Sequence, residues 1–250
     1  MKRKYVAIIT CRNGSSRLYG KPLQNLDVEK KVSVLAYMVE WMRTVNSYED
    51  IVLAIAEGTE NRVYQDIAEN MGLTYFWGPE EDVLARTISC AESVCATDIT
   101  RFTPESPYTC FESIEESWKL HVEGNFHASF LDNVPNGSNY EILNVEALKT
   151  SYEHGGDRHR ITGPSLYIRE NKDRFRIRYV PVDEELRRPD LRLTIDYPQD
   201  LILCREVYSF FQHKAPRIPV KEIIRFLDSR KDLIELVSSL VDEGLETMYL

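Results

Sequence analysis

The chain has 250 residues, 43% of them hydrophobic, enough for one large or two small domains around a real core. Its 31 Lys and Arg stand against 40 Asp and Glu, and a net charge of −9 argues against general nucleic-acid or anionic-membrane binding. Positive charge must therefore be concentrated wherever an anion is wanted. The five cysteines, Cys11, Cys90, Cys95, Cys110 and Cys204, show no Cys-x-x-Cys spacing and leave an odd one over, which reads as reduced thiols in a cytoplasmic protein without a disulfide framework or zinc site.

Met1 to Lys4 passes directly into a strand with no evident secretory signal, and no apolar run reaches the length of a membrane span. Tyr5 to Thr10 reads as a buried first strand. The stretch Cys11 to Leu23 then gathers Arg12, Arg17, Lys21, Gly14, Gly20, Ser15 and Ser16 in one loop at the carboxyl end of that strand. Ligands bind at such ends in open α/β sheets. Glycines let backbone N–H groups approach an anion, and three cations can neutralise several phosphate oxygens together, so the natural guest is a polyphosphate. A solvated basic loop is the alternative, but it has no use for this glycine spacing. The loop is not a Walker A motif: five residues separate Gly14 from Gly20, and Pro22 follows the lysine. Gly-x-Gly-x-x-Gly is absent, so a hydride-transfer cofactor is not indicated.

Helical spacing of Val34, Leu35, Met38, Val39 and Met42 predicts a first helix to about Arg43. Ile51 to Ala56 reads as a strand, Glu60 to Met71 as a helix stopped by Gly72, Leu73 to Trp77 as a strand, Asp82 to Cys95 as a helix and Asp98 to Phe102 as a strand. This alternation predicts a parallel sheet with helices on both faces, a Rossmann-like nucleotide layer. The middle is less regular, with a helix at Phe111 to Val122, strands at Ala128 to Leu131 and Tyr140 to Leu143, and a helix from Val145 to His154. Strands at Phe175 to Val180 and Leu191 to Ile195 follow, then helices at Gln199 to His213, Val220 to Ser229 and Leu233 to Val241. No repeat or linker is visible, so the expected organisation is one domain over 1–250 with an inserted lobe at about 126–170.

The pattern Arg-x-Gly-Ser-x-Arg-Leu-x-Gly-Lys-x-Leu over residues 12–23 resembles the signature loop of the sugar-activating cytidylyltransferases. That family includes the synthetases of CMP-sialic acid and CMP-3-deoxy-manno-octulosonate and the spore-coat polysaccharide cytidylyltransferases, which look closest; the resemblance covers roughly residues 5 to 210. It implies an α/β/α nucleotidyltransferase fold, glycosyltransferase-A-like. It also implies magnesium-dependent transfer of CMP from CTP to a sugar acid or sugar-like acceptor, with release of pyrophosphate, for surface polysaccharide synthesis. Arg12, Arg17 and Lys21 would then hold the triphosphate and stabilise the leaving group, while Gly14, Ser15 and Ser16 would donate hydrogen bonds to it. Asp196, in Asp196-Tyr197-Pro198-Gln199-Asp200-Leu201, matches a family metal ligand, although Asp before x-Pro also reads as a turn or helix cap. Glu105 stands where the family has Gly-Asp-x-Pro; here the run is Pro104-Glu105-Ser106-Pro107, which keeps a charged oxygen ligand but sets it one methylene further out.

Glu81-Asp82-Val83-Leu84-Ala85-Arg86 resembles a second family segment and implies that Arg86 reaches the nucleotide; an internal Asp82–Arg86 ion pair is the alternative. Pro135 to Ile142 resembles the acceptor segment, with Glu141 keeping a carboxylate, although Asn136-Gly137 is also an ordinary hairpin signal. Asp157 to Thr162 resembles Arg-Glu-His-Val-Thr, with His159 and Arg160 at the Glu and His places; the extra charge of Arg158 and Arg160 suits an acidic acceptor, or a subunit contact. Such families are commonly homodimers, and the 126–170 lobe is the expected interface. His121, His127, His154 and His213 read as surface or packing residues, Cys11 as a small strand-end residue, and no Ser/His/Asp arrangement is legible. The rivals are a sugar phosphate or phosphonate acceptor with another nucleotide, and a non-catalytic nucleotide-binding homologue.

Overall fold

The computed structural model describes residues 2–15 and 17–240. Strand β1 (Tyr5–Cys11) is buried at every position because it lies mid-sheet, between β4 (Asp50–Ala56) and β6 (Asp98–Phe102), both parallel to it. Such a strand has no solvent face, which is why its sequence is a nearly continuous apolar run. β5 (Thr74–Gly78) extends the parallel set beyond β4; on the other side β8 (Tyr140–Asn144) runs antiparallel to β6, β7 (Ala128–Leu131) antiparallel to β8, and β9 (Ile177–Tyr179) parallel to β7. The order is β5-β4-β1-β6-β8-β7-β9. A small hairpin, β2 (Asn25–Asp27) with β3 (Val32–Ser33), stands apart; nothing in the sequence reading anticipated it.

Strand alternation divides the core in two. Tyr5, Ala7, Ile9 and Cys11 of β1 face one cluster; Val6 and Ile8 face the other. The first cluster packs under α1 (Val34–Met42), α2 (Arg62–Met71), α4 (Ile114–Glu123), α8 (Pro198–Phe211), α9 (Val220–Ser229) and α10 (Lys231–Val237). The second packs under α3 (Val83–Ser93), α5 (Val145–His154) and α7 (Leu166–Glu170). Polar side chains at the helix starts fix the boundaries: Ser33 accepts from the Ala36 N–H at 3.1 Å, Asp82 from Ala85 at 2.8 Å, and Asn144 from Glu146 at 3.1 Å. The fold is thus the expected mixed α/β layer structure with a mostly parallel sheet.

Several local expectations are corrected. Leu191 to Ile195 is not a strand; it makes one isolated bridge, Asn136 with Arg192. Its backbone serves two loops instead of one ladder, with Asn136 bonded to Leu191 and Leu193, and Ile195 N–H donating to the Glu105 carbonyl at 2.9 Å. The short helices α6 (Asp157–Ile161) and α7 were not foreseen, being too brief for a periodic signal. The last expected helix begins earlier, at Lys231, and Val241 lies outside the described residues. Residues 126–170 contain β7 and β8, which belong to the central sheet.

His121 does not stand alone. Its Nδ1 meets the Ser129 hydroxyl at 2.9 Å and its Nε2 the Asp98 carboxylate at 3.3 Å, which also accepts from Asn144 and Arg3. This Ser–His–Asp chain is fully buried at the amino end of β6, where no substrate reaches it. It ties α4, β6 and β7 together. No helix among the described residues is long and apolar enough to cross a membrane.

Candidate active site

The chain runs β1, β4, β5 to one side of the sheet and then returns to lay β6 against the free side of β1. The loops leaving β1 and β6 therefore diverge, and a crevice opens above their carboxyl ends. The loop after β1 is pinned rather than solvated. Asn13 is buried, its N–H donates to Asn61 Oδ1 at 2.7 Å, and its side-chain oxygen accepts from the Tyr64 hydroxyl at 2.8 Å. Gly20 closes the loop with φ of 59°, a left-handed conformation that a side chain would strain, and its N–H reaches back to the Asn13 carbonyl. Asn13 and Tyr64 were not singled out from sequence; Asn13 at least lies within the cationic run, while Tyr64, on α2, reaches the loop only through the fold.

Lys21 Nζ and Arg17 Nη2 both donate to Asp196 Oδ1, at 2.6 and 2.8 Å, and Arg192 Nη2 donates to Oδ2 at 2.7 Å. Burial alone would raise the Asp196 carboxyl, but Lys21, then Arg17 and Arg192, outweigh it and hold it below the usual range. The capping role belongs to Asp200: its Oδ2 accepts the backbone N–H groups of Asp196 and Tyr197, both at 2.8 Å, at the start of α8. Glu105 lies beside this network, its carboxylate meeting its own backbone N–H and the field of Lys21 and Asp196. Desolvation pushes its carboxyl up, opposed by Lys21 and reinforced by Asp196. The two sequence-predicted metal carboxylates are thus brought within electrostatic reach of each other. Among the described residues no group of three metal-type side chains forms. Two carboxylates suffice for magnesium when substrate phosphates and water complete its shell, so the donor set fits that ion.

Two cavities fill the crevice. The first, about 270 Å³, is walled by Arg12, Gly14, Ser15, Arg17, Lys21, Arg86 and Glu105, among others, which brings together most of the residues assigned to the triphosphate. Ser16 lies outside the described residues. Arg86 is buried beneath the 78–80 turn, donating to the carbonyls of Pro79 and Glu80. Desolvation, with Arg101 and Arg12 nearby, lowers its guanidinium to about 10. Asp82 pairs not with Arg86 but with Arg160, at 2.7 Å.

The second cavity, about 720 Å³, is lined by hydroxyl and amide groups of Ser106, Thr109, Asn136, Asn139, Ser165 and Thr194, and by Glu141. The Thr109 hydroxyl is buried and has no hydrogen-bond partner among the described residues. Asn136-Gly137 is not a two-residue hairpin but part of the 132–139 connection between β7 and β8. Gly137, at φ of 91°, presses so close that an added Cβ would stand 2.7 Å from the Thr194 nitrogen, and this contact brings the acceptor-type loop against the Asp196 loop. Glu141 Oε1 accepts from Ser165 at 2.8 Å and from Arg169 at 2.7 Å, and Arg169 also grips Asp132. Arg158 and Arg160 do not line either cavity: Arg158 pairs with Glu170 at 2.7 Å, and Arg160 with Asp82. Their neighbours Ile161 and Thr162 wall both cavities instead.

The cytidylyltransferase family model matches residues 6–236, the whole length of this sheet, crevice and helical end. The chain belongs to the cytidylyltransferase family. It is accordingly a nucleotidyltransferase, as expected from the loop. Among curated relatives, an uncharacterized protein of Methanocaldococcus jannaschii is 27% identical over 94% of this chain and 95% of its own length. The spore coat polysaccharide biosynthesis protein SpsF of Bacillus subtilis is 26% identical over 90% and 94%. Among solved structures, a cytidylyltransferase from Leptospira borgpetersenii shares the fold with a TM-score of 0.85 at 20% identity, over 93% of this chain and 97% of the other. A CMP:2-keto-3-deoxy-manno-octonic acid synthetase, solved with CTP, gives 0.61 at 15% identity, over 83% and 99%.

Within this cytidylyltransferase Cys11 has no nucleophilic role to play: it is buried, and desolvation pushes its thiol up. All five cysteines are free.

Proposed function

We propose that this protein transfers CMP from CTP to a hydroxyl of a sugar acid or other sugar-like acceptor, releasing pyrophosphate. The observation that carries the reading is the paired crevice: a cation-walled cavity on the β1 loop opening into a larger one lined by hydroxyls, amides and Glu141. The first suits a triphosphate and the second a polyhydroxylated small molecule. The CTP bound to the structural neighbour and the polysaccharide role in the relative's name support the same assignment.

Lys21 and Arg17 exchange their Asp196 contacts for β- and γ-phosphate oxygens and stabilise the departing pyrophosphate, with Arg12 at the cavity mouth. Gly14 and Ser15 offer hydrogen bonds to the same phosphates. Glu105 and Asp196 hold magnesium, which when bound neutralises charge on the triphosphate. Catalysis rests on positioning and preorganised charge rather than a covalent intermediate. The shift from Gly-Asp to Pro-Glu is the sequence feature on which a non-catalytic homologue would rest, but it leaves a carboxylate within electrostatic reach of Asp196, and that supports turnover. We further propose a cytoplasmic homodimer with residues 126–170 at its interface; a monomer at micromolar concentration in sedimentation would reject that interface.

Titration calorimetry with CTP, UTP, GTP, ATP and dTTP, with and without magnesium, tests the nucleotide assignment without an acceptor. Magnesium-dependent binding of CTP is expected, followed by pyrophosphate release on screening sugar acids, sugar phosphates and phosphonates. Failure of every nucleotide to bind overturns the proposal.

A further inference from the structure

Seven residues wall both cavities: Arg12, Arg17, Arg101 and Glu81, with Thr103, Ile161 and Thr162. Any group passing from a molecule in one cavity to a molecule in the other must cross this shared wall. Three of the seven are cations, and their circumstances differ. Arg17 is held by Asp196 and lies over the Tyr197 ring at 5.2 Å, while Arg12 is exposed at the mouth. Arg101 is set in the sheet itself, on β6 opposite Ile8 of β1, and shares the strand face of Ile99 toward the core under α3. Its guanidinium makes no hydrogen bond or ion pair with any described residue, and its Nε is sealed from solvent without a partner.

We propose that Arg101 is a catalytic residue whose guanidinium contacts the α-phosphoryl group of the nucleotide as that group moves from pyrophosphate to the acceptor. The proposal rests on the nucleotide-and-acceptor reading of the crevice. An unpartnered cation in a desolvated place is costly, and desolvation lowers Arg101 although Glu141 and Glu105 lie near enough to oppose it. Arg86 stands close by, a second desolvated guanidinium whose charge adds to the cost. Folding keeps two such cations without a carboxylate in bonding contact where a ligand supplies one.

The chemistry at the junction asks for this group. The acceptor hydroxyl oxygen forms a bond to the α-phosphorus while the bond from that phosphorus to the bridging oxygen breaks. Pyrophosphate leaves with the electron pair, and the hydroxyl proton passes to water in the open cavity. Throughout, charge sits on the two non-bridging α-oxygens. A planar guanidinium fork matches two such oxygens, and a strand holds it more firmly than a loop.

Calorimetry with cytidine, CMP and CTP, in the presence of magnesium chloride, isolates the contribution of the α-phosphoryl group. Wild-type protein should gain affinity from cytidine to CMP. Arg101→Met should lose about tenfold to a hundredfold for CMP with cytidine unchanged, and Arg101→Lys should recover part of it. Because the substitution removes a buried charge, Arg101→Met should melt no lower than wild type. Phosphorus NMR of bound CTP should show the α resonance altered in the variant with the β and γ resonances retained. If Arg101→Met binds CMP as wild type does, or loses cytidine as strongly as CMP, the assignment falls while the nucleotide reading stands. If wild-type protein binds none of the three, both fall.

Discussion

The cations around β1 and β6 and those of residues 157–170 have the same chemistry and opposite circumstances. Arg12, Arg86 and Arg101 form no ion pair with a described carboxylate, and two of the three are desolvated. In the other stretch Arg158 and His159 share Glu170, Arg160 holds Asp82, and Arg169 is clamped by Asp132 and Glu141. Under the proposed function, charge without a bonded carboxylate is held for a ligand, while charge with one holds the fold. Lys21 and Arg17 lie between these cases, because their partner Asp196 also faces the crevice.

Five substitutions test that contrast, beginning with the largest effect. Lys21→Ala should lower the rate of pyrophosphate release about a hundredfold to a thousandfold, with the fold retained because Asp196 keeps Arg17 and Arg192. Near-normal turnover would remove the loop from the reaction. Asp196→Asn should lower turnover about a hundredfold and cost about 2 kcal/mol of stability at neutral pH, by loss of charge-assisted hydrogen bonds. The Asp196 pKa is depressed on folding, so its stabilisation is complete above the unfolded value and lost as pH falls through the folded one. Denaturant midpoints of wild type and variant should therefore converge on acidification; a constant gap would mean the loss is not electrostatic.

Glu105 gives the opposite sign. Its pKa is raised on folding, so ionised Glu105 destabilises the protein above the unfolded pKa, and the cost is complete above the folded one. Glu105→Gln should thus lose turnover yet gain about 1 kcal/mol at neutral pH, the gain vanishing in acid. A melt showing that the variant is less stable than wild type at pH 7 would contradict the desolvated environment assigned to it. Smallest should be Arg158→Ala and Arg160→Ala, whose partly exposed pairs are worth roughly 0.5 kcal/mol each. CTP affinity measured by calorimetry should stay within about twofold in both, and a larger loss would return these arginines to the binding surface.

What was legible in the sequence follows a physical division. β1, β4, α5, β6 and β7 fall at or within a residue of their expected bounds because periodicity and end-capping are set by near neighbours in the chain. The loop from Arg12 to Lys21 was legible for the same reason: glycines and cations at fixed spacing act within one turn of backbone. Leu191 to Ile195 misled because an apolar alternation states a preference for extended backbone, not which partner will complete its hydrogen bonds; two loops claimed them.

The sequence by itself determined the sheet-and-helix alternation, the run of cations and glycines after β1 and the position of two carboxylates at strand or loop ends. Tertiary structure alone decided which charges were answered. Lys21 meets Asp196 across 175 residues and Arg160 meets Asp82 across 78, while Arg101, though within electrostatic reach of Glu141 and Glu105, forms no ion pair with any described carboxylate. Charge pairing depends on distances of a few ångströms between elements, and those distances are fixed by strand order and packing, which local sequence pattern does not encode.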